Sequence, residues 1–165
     1  MKQRGVTLIQ MLFALGLLAL LAQLGTTAYS KMSRELQQEA AAKNLVQALR
    51  AARSEALLRN QVVLLQAHEG GWGYGWRMLL EQRENPLFRE FSANGRVKIS
   101  GNGPVAARVR FNGLGVPLRE SGAFLSGALH VCGEPGQKSV YQIVLSPTGR
   151  VSLHHAPTDK PLCPA

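Results

Sequence analysis

The stretch that decides the fold is Met1–Ser30, MKQRGVTLIQMLFALGLLALLAQLGTTAYS. Its only charged residues are Lys2 and Arg4, and the 25 residues 6–30 are all uncharged. As a helix this segment would be about 37 Å long, enough to cross a bilayer core of about 30 Å. The apolar run is longer than that of a cleavable secretory signal and continues into a helical pattern, which disfavours cleavage. Release of a secreted β domain by cleavage near Thr26–Ala28 is the alternative.

The helical pattern continues beyond the apolar segment as far as Asn60. Neither Gly nor Pro occurs between Thr26 and Asn60. One apolar stripe runs along this part at spacings of four, three and four, formed by Leu45, Leu49, Ala52 and Ala56. We therefore predict one helix over residues 7–59, apolar on all sides in its first half and amphipathic in its second half.

After residue 60 the pattern changes to short strands separated by turns. Turns are indicated by Glu69-Gly70-Gly71, Asn94-Gly95, Asn112-Gly113 and Pro147-Thr148-Gly149. Strands are predicted at Gln61–His68, Trp72–Leu80, Leu87–Phe91, Val97–Ser100, Arg108–Phe111, Leu129–Cys132, Tyr141–Leu145 and Val151–His155. The 17 Gly, 8 Pro and 18% charged residues also favour a loop-rich β domain. The predicted fold class is α+β, a long N-terminal helix packed on a C-terminal antiparallel β domain.

Three short segments give the chain a resemblance to a known family. Arg4-Gly5-Val6-Thr7-Leu8-Ile9 resembles the type III signal of type IV prepilins and type II secretion pseudopilins. Ala52-Arg53-Ser54-Glu55-Ala56 and the Phe111-x-x-x-Gly115 segment resemble the GspH/FimT group of minor pilins and pseudopilins. We expect Arg53 and Glu55 of the Ala52–Ala56 segment to form a pair that closes the helix.

The resemblance implies a type IV pilin-like fold with four parts. Residues 1–5 would be a prepilin leader and residues 6–30 the transmembrane or filament-core half of the helix. Residues 31–60 would be its amphipathic half, and residues 61–165 an antiparallel β domain with a disulfide-closed C-terminal region. The implied location is the inner membrane, as a single pass with a cytoplasmic N-terminus and a periplasmic β domain, and afterwards the pilus at the cell surface.

The resemblance also implies how the N-terminus is processed and assembled. A prepilin peptidase would cut between Gly5 and Val6 and methylate the new amino group of Val6. Gln10 stands at the assembly position, where the family usually has a Glu that pairs with a neighbouring subunit's N-terminus. Gln10 cannot supply that charge. The implied partners are the prepilin peptidase, the inner-membrane assembly platform, other minor pilins and the major pilin.

Two cysteines, Cys132 and Cys163, lie beyond the membrane segment, on the side where disulfides persist. A bond between them would close a loop of about 30 residues and tie the C-terminal tail to the domain, contributing about 3–4 kcal/mol. A metal site formed by Cys163 with His154 and His155 is a weaker alternative, because the spacing matches no standard zinc pattern. No cofactor is predicted.

The part of the chain after Ser30 is basic, with 17 Lys and Arg against 10 Asp and Glu, a net charge of +7. Such a balance favours polyanions, although an inert basic surface is equally compatible with it. Gly149-Arg150-Val151-Ser152 resembles the first half of a Gly-Arg-x-Arg motif of DNA-binding FimT-type pilins, with Ser152 in place of the second Arg. The candidate DNA-binding residues are Arg150, Lys138, Arg108, Arg110 and Lys160.

A strand with three aromatic residues offers a second possible contact for nucleic acid. Alternation in Trp72-Gly73-Tyr74-Gly75-Trp76 predicts all three rings on one face. That face either packs in the core, which we favour, or stacks on unpaired bases with nearby Arg77.

No enzyme motif is found in the sequence. We expect a minor type IV pilin that is incorporated near the tip of a pilus, helps to prime assembly and displays a basic β domain. The alternatives are a DNA-binding minor pilin for DNA uptake and an H-type minor pseudopilin of a type II secretion system.

Overall fold

The computed structural model describes residues 8–82, 86–132, 139–155 and 163. A long helix, α1, runs from Leu8 to Arg59, as the sequence predicts. The next residue, Asn60, has a φ of 49°, the left-handed conformation that commonly terminates a helix. The described residues fall into two compact units, one ending at Leu36 and the other beginning at Gln37.

The first unit is helical and carries its large apolar side chains on the surface. The exposed side chains are Leu8, Ile9, Met11, Leu12, Phe13, Leu15, Leu17, Leu18, Leu20 and Leu21. Among the described residues, no helix is both long and apolar enough to cross a membrane. The predicted membrane span is therefore not confirmed. The predicted leader and its cleavage residues Gly5 and Val6 lie outside the described residues.

In the second unit the amphipathic half of α1 supplies one side of the hydrophobic core. The predicted apolar stripe of Leu45, Leu49, Ala52 and Ala56 is completely buried. Ala42, one turn before Leu45 along the helix, is buried as well. The amphipathic pattern in the sequence thus corresponds to the face that packs on the β domain.

In the described part of the chain, nine strands form two antiparallel sheets. They are β1 (Val63–His68), β2 (Gly71–Leu80), β3 (Leu87–Ser92), β4 (Lys98–Gly101), β5 (Arg108–Phe111), β6 (Pro117–Leu118), β7 (Gly127–Cys132), β8 (Ser139–Leu145) and β9 (Val151–His155). The first sheet has the order β3-β2-β1-β5-β6 and the second the order β4-β7-β8-β9. All eight predicted strands are present. The two-residue β6 and a short 3₁₀ turn at Gly103–Val105 were not predicted.

The core lies where the inner faces of both sheets meet the helix. Leu65 and Phe111 of the first sheet and Leu129 and Ile143 of the second are buried there. Trp72 is also buried, and its indole Nε1 donates a hydrogen bond to the carbonyl oxygen of Val105 over 3.0 Å. This bond satisfies the indole N–H and joins β2 to the 3₁₀ turn.

The aromatic strand departs from the predicted alternation at one position. Trp72 and Trp76 are buried in the core, and Trp76 stacks on Phe91 with ring centroids 4.5 Å apart. Tyr74, by contrast, keeps 41% of its surface exposed. The β1–β2 register shifts after Ala67, and Gly75 has a φ of +117°, so the regular pleat is interrupted beside Tyr74. The prediction of three rings on one buried face was wrong for Tyr74.

Candidate functional site

The candidate DNA-binding residue Arg150 follows the tight turn between β8 and β9. The backbone N–H of Gly149 donates to the Ser146 carbonyl over 3.0 Å, and the N–H of Ser146 donates to the Arg150 carbonyl over 2.9 Å. The Ser146 hydroxyl oxygen accepts the N–H of Arg150 over 3.0 Å. Gly149 has a φ of +80°, which a residue with a side chain rarely adopts. Several local bonds therefore determine the conformation of this turn.

Two arginines of α1 connect the helix to the β8–β9 turn, and one of them also reaches Gly115 in the turn between β5 and β6. Arg53 Nε donates to the Gly115 carbonyl over 3.0 Å, and its Nη2 donates to the Thr148 carbonyl over 3.3 Å. One helical turn earlier, Arg50 Nη2 donates to the Val151 carbonyl over 3.0 Å. Because a charged donor makes a stronger hydrogen bond than a neutral one, these contacts stabilise the turn against the helix. We call Arg53, Gly115, Thr148 and Gly149 the arginine clamp.

The second turn of the arginine clamp lies between β5 and β6. Phe111, at the end of β5, is completely buried. The side-chain oxygen of Asn112 accepts the N–H groups of Leu114 over 3.0 Å and Val116 over 2.9 Å. Gly115 has a φ of +70° and directs its carbonyl to Arg53. The family-like Phe111-x-x-x-Gly115 segment thus anchors a turn in the core and presents an acceptor to the helix.

The role expected for the Arg53–Glu55 pair was wrong. Glu55 accepts instead from Arg59 Nε at 2.9 Å, one helical turn further along. Residues two apart on a helix do not face each other, whereas residues four apart do. Arg53 is therefore not paired with Glu55. It donates instead to carbonyl oxygens of the two turns, which lie 62 and 95 residues further along the chain.

The predicted basic residues differ in how they are paired. Arg108 and Arg110 share the outer face of β5, as predicted from their spacing. Arg108 Nη1 lies 2.6 Å from Glu120 Oε1, and Arg110 Nη2 pairs with Glu81. These carboxylates offset the local positive charge that was predicted for β5. Candidates Lys138 and Lys160 lie outside the described residues.

Arg150 differs from the two arginines of β5. Its side chain is exposed, and no described carboxylate forms an ion pair with it. The turn that carries it is held by its own hydrogen bonds and by the arginine clamp. Arg150 is thus an exposed cation on an ordered backbone turn, without an ion pair to any carboxylate in the described part of the chain.

Cys132 and Cys163 form a disulfide with a Cα–Cα distance of 5.9 Å, as predicted. The alternative use of Cys163 as a metal ligand was wrong, because the bonded thiol is not available to a metal. Within the described ranges, no three His, Cys, Asp or Glu residues are grouped as a metal site would need. His154 Nε2 lies 3.3 Å from the Ser152 hydroxyl, whereas His155 packs against Tyr141 with ring centroids 4.9 Å apart.

Two environments in the second unit shift the pKa of ionisable side chains. Burial lowers the pKa of His130 on β7, which favours the neutral imidazole. On the helix, the hydrogen bond from Lys43 lowers the pKa of Glu39, and the same bond raises the pKa of Lys43. The Lys43–Glu39 pair is therefore ionised, and His130 adds no charge to the basic surface.

Gln10, the residue at the predicted assembly position, lies in the first turn of α1 and is exposed. Its neighbours Ile9, Leu12 and Phe13 line a shallow apolar groove together with Gly16, Leu17 and Leu20. A Cβ added at Gly16 would meet no atom within 4 Å. The groove is thus open above Gly16, where the helix has no side chain.

Comparison with known proteins agrees with this architecture. The structure is similar to two crystal forms of the type IV minor pilin FimU of Pseudomonas aeruginosa. The first has a TM-score of 0.59 and 21% identity, with 70% of this chain and 91% of that chain covered. The second has a TM-score of 0.60 and 19% identity, with 72% and 88% covered. At these identities the similarity establishes the fold. A search of curated protein sequences found no match.

The family relationship comes from the sequence. The family described as "Type II transport protein GspH" matches residues 41–149, which is well over half of the 165 residues. The match begins on the amphipathic half of α1 and ends at Gly149, so it includes every residue of the arginine clamp. The chain belongs to the GspH family of minor pilins and pseudopilins.

Proposed function

We propose that the chain is a minor pilin that is incorporated near the tip of a type IV pilus and helps to prime its assembly. The observation that carries this proposal is the row of exposed apolar side chains from Leu8 to Leu21 on α1, because a large exposed apolar surface marks a site of contact with other proteins or with a membrane. Each Leu that becomes fully covered contributes about 2 kcal/mol. Neighbouring subunits with similar helices supply that cover in a filament.

The route to the filament begins at the inner membrane. A prepilin peptidase removes residues 1–5 and methylates Val6, and residues 6–30 hold the subunit in the membrane with the β domain in the periplasm. The assembly platform then transfers the subunit to the other minor pilins and the major pilin. Gln10 lacks the carboxylate that would pair with a neighbour's N-terminus, which supports a low copy number and a place where few subunits precede it.

Mass spectrometry and fractionation test this proposal. Intact protein from sheared surface filaments is expected to lack residues 1–5 and to carry one added methyl group. A product that begins after Ala28 would instead indicate a secreted β domain. Recovery only from the cell envelope, never from surface filaments, would favour the H-type pseudopilin of a secretion system. The disulfide and the basic surface support the pilus over that alternative.

A second candidate function is DNA binding by the same subunit. Arg150 favours it, since this residue is exposed at an ordered turn and pairs with no carboxylate among the described residues. The net charge of +7 beyond Ser30 favours it as well. A cation at the end of a hairpin can contact phosphates without reading sequence. Lys138 and Lys160 are further candidates for such contacts.

The DNA-binding candidate predicts a specific loss in Arg150→Ala. The full chain in neutral detergent is titrated with a labelled DNA duplex across a salt series. We expect affinity to fall steeply with salt, and Arg150→Ala to weaken binding several-fold and to reduce the salt slope by about one. The matched control is Arg77→Ala, which also removes one positive charge but from an arginine 3.7 Å from Glu90. Equal losses in both variants would contradict a specific role for Arg150.

A further inference from the structure

An open cavity of about 430 Å³ lies beside the disulfide, at the β4 edge of the second sheet. Its lining includes Tyr74 from β2, Lys98 and Ser100 from β4, and the disulfide partners Cys132 and Cys163. No described carboxylate lines the cavity. Its volume is within the range of small-molecule sites, and an aromatic ring, an ammonium group and a hydroxyl meet in it.

The ring of Tyr74 is held in a defined position although it is exposed. A Cβ added at Gly70 would lie 2.9 Å from Tyr74 Cδ2, and one added at Gly95 would lie 2.5 Å from Tyr74 Cε1. Both glycines also have positive φ, +92° and +69°. The ring therefore occupies space that is open because residues 70 and 95 are glycines, since a side chain at either position would collide with it. A ring fixed in this way loses little conformational freedom when a ligand stacks on it.

Cationic side chains lie next to this ring. Lys98 is exposed, and its Nζ lies 5.6 Å from the centre of the Tyr74 ring. Arg96 follows Gly95, which touches the ring, and is exposed as well. Neither forms an ion pair with a carboxylate of the described chain. Within the described residues, no ion pair therefore holds the Lys98 ammonium on the ring, and it can move to an anion at the mouth of the cavity.

We propose that this cavity binds one nucleotide of a single-stranded nucleic acid, with the base on Tyr74 and the phosphate on Lys98. Stacking on aromatic rings combined with cations along the backbone is the usual way of binding single strands. Inorganic phosphate would contact Lys98 but could not stack on the ring of Tyr74. The inference deepens the DNA-binding candidate and rests on it, but it uses a site distinct from the Arg150 turn.

The test compares a single strand with and without bases. The full chain in neutral detergent is titrated with labelled oligo-dT and with an abasic phosphodiester of equal length. Wild type is expected to prefer oligo-dT by about 10-fold, since one stacked base typically changes affinity by that order. Tyr74→Leu should abolish the preference and leave the abasic affinity unchanged, and Tyr74→Phe should retain it. Lys98→Gln should weaken both ligands several-fold. Unfolding by urea verifies that each variant is folded.

Each contrary outcome has a definite meaning. If Tyr74→Leu retains the preference for oligo-dT, the nucleotide site is wrong. If Arg150→Ala weakens duplex binding at the same time, the DNA-binding function stands without the cavity. If no nucleic acid binds even at low salt, both proposals fail together. Binding of an acidic glycan that depends on Tyr74 and exceeds that of oligo-dT would overturn the assignment to nucleic acid.

Discussion

Gly149→Ala is expected to lower the free energy of unfolding of the β domain by about 3 kcal/mol. Two penalties contribute. A side chain at a φ of +80° costs about 1–2 kcal/mol. The new Cβ would also lie 2.9 Å from Arg53 Nε and closer still to the Gly115 carbonyl oxygen. Crowding in a well-packed site costs a further 1–3 kcal/mol, roughly.

The matched control is Gly122→Ala. Gly122 has a similar φ of +84°, but a Cβ there would meet no atom within 4 Å. Only the conformational penalty applies, so we expect a loss of about 1 kcal/mol. Urea unfolding of the full chain, followed by the fluorescence of Trp72 and Trp76, measures both variants. Equal losses of unfolding free energy in both variants would contradict the prediction, because they would mean that Arg53 and Gly115 can shift to admit the new Cβ without an energetic cost.

The same two variants, Gly149→Ala and Gly122→Ala, are also expected to differ in DNA binding. If the arginine clamp positions the turn that carries Arg150, displacement of Arg53 by Gly149→Ala should also weaken duplex binding, because the backbone of that turn loses its support. Gly122→Ala should leave binding unchanged. Stability and binding would then be lost together only in the variant that disturbs the arginine clamp.

The fold could be predicted from local pattern because each element shows its own period. The stripe from Leu45 to Ala56 repeats at helical spacing, and all of it is buried. Turn residues such as Asn94-Gly95 and Pro147-Thr148-Gly149 lie between consecutive strands, where the sequence predicts them. The two-residue β6 has too few residues to show a period.

The details of the site depend on contacts between distant parts of the chain. The bonds of Arg53 join residues 62 and 95 positions apart, and Arg110 reaches Glu81 across 29 positions. Nothing in the local pattern indicates such partners. Tyr74 illustrates a second limit, because alternation assumes a regular pleat, whereas Gly75 interrupts it with a φ of +117°. The exposed ring at the cavity follows from that irregularity.

Leu17→Glu is expected to prevent incorporation of the subunit into filaments. Leu17 is 63% exposed in the isolated chain and lines the groove above Gly16, where a neighbouring helix can approach closely. A carboxylate at the centre of an apolar helix environment costs about 3 kcal/mol. The measurement is the amount of subunit in sheared filaments relative to the cell envelope.

Leu17→Met is the control at the same position, because it keeps an apolar side chain of similar volume and should be incorporated normally. Both variants should unfold in urea as wild type does, since Leu17 lies outside the unit that begins at Gln37. A defect confined to Leu17→Glu would therefore arise from contacts between subunits and not from a damaged β domain. Normal incorporation of Leu17→Glu would mean that this face of α1 stays uncovered in the filament. The exposed apolar helix would then no longer support the proposed function, and a different partner would have to bury its apolar side chains.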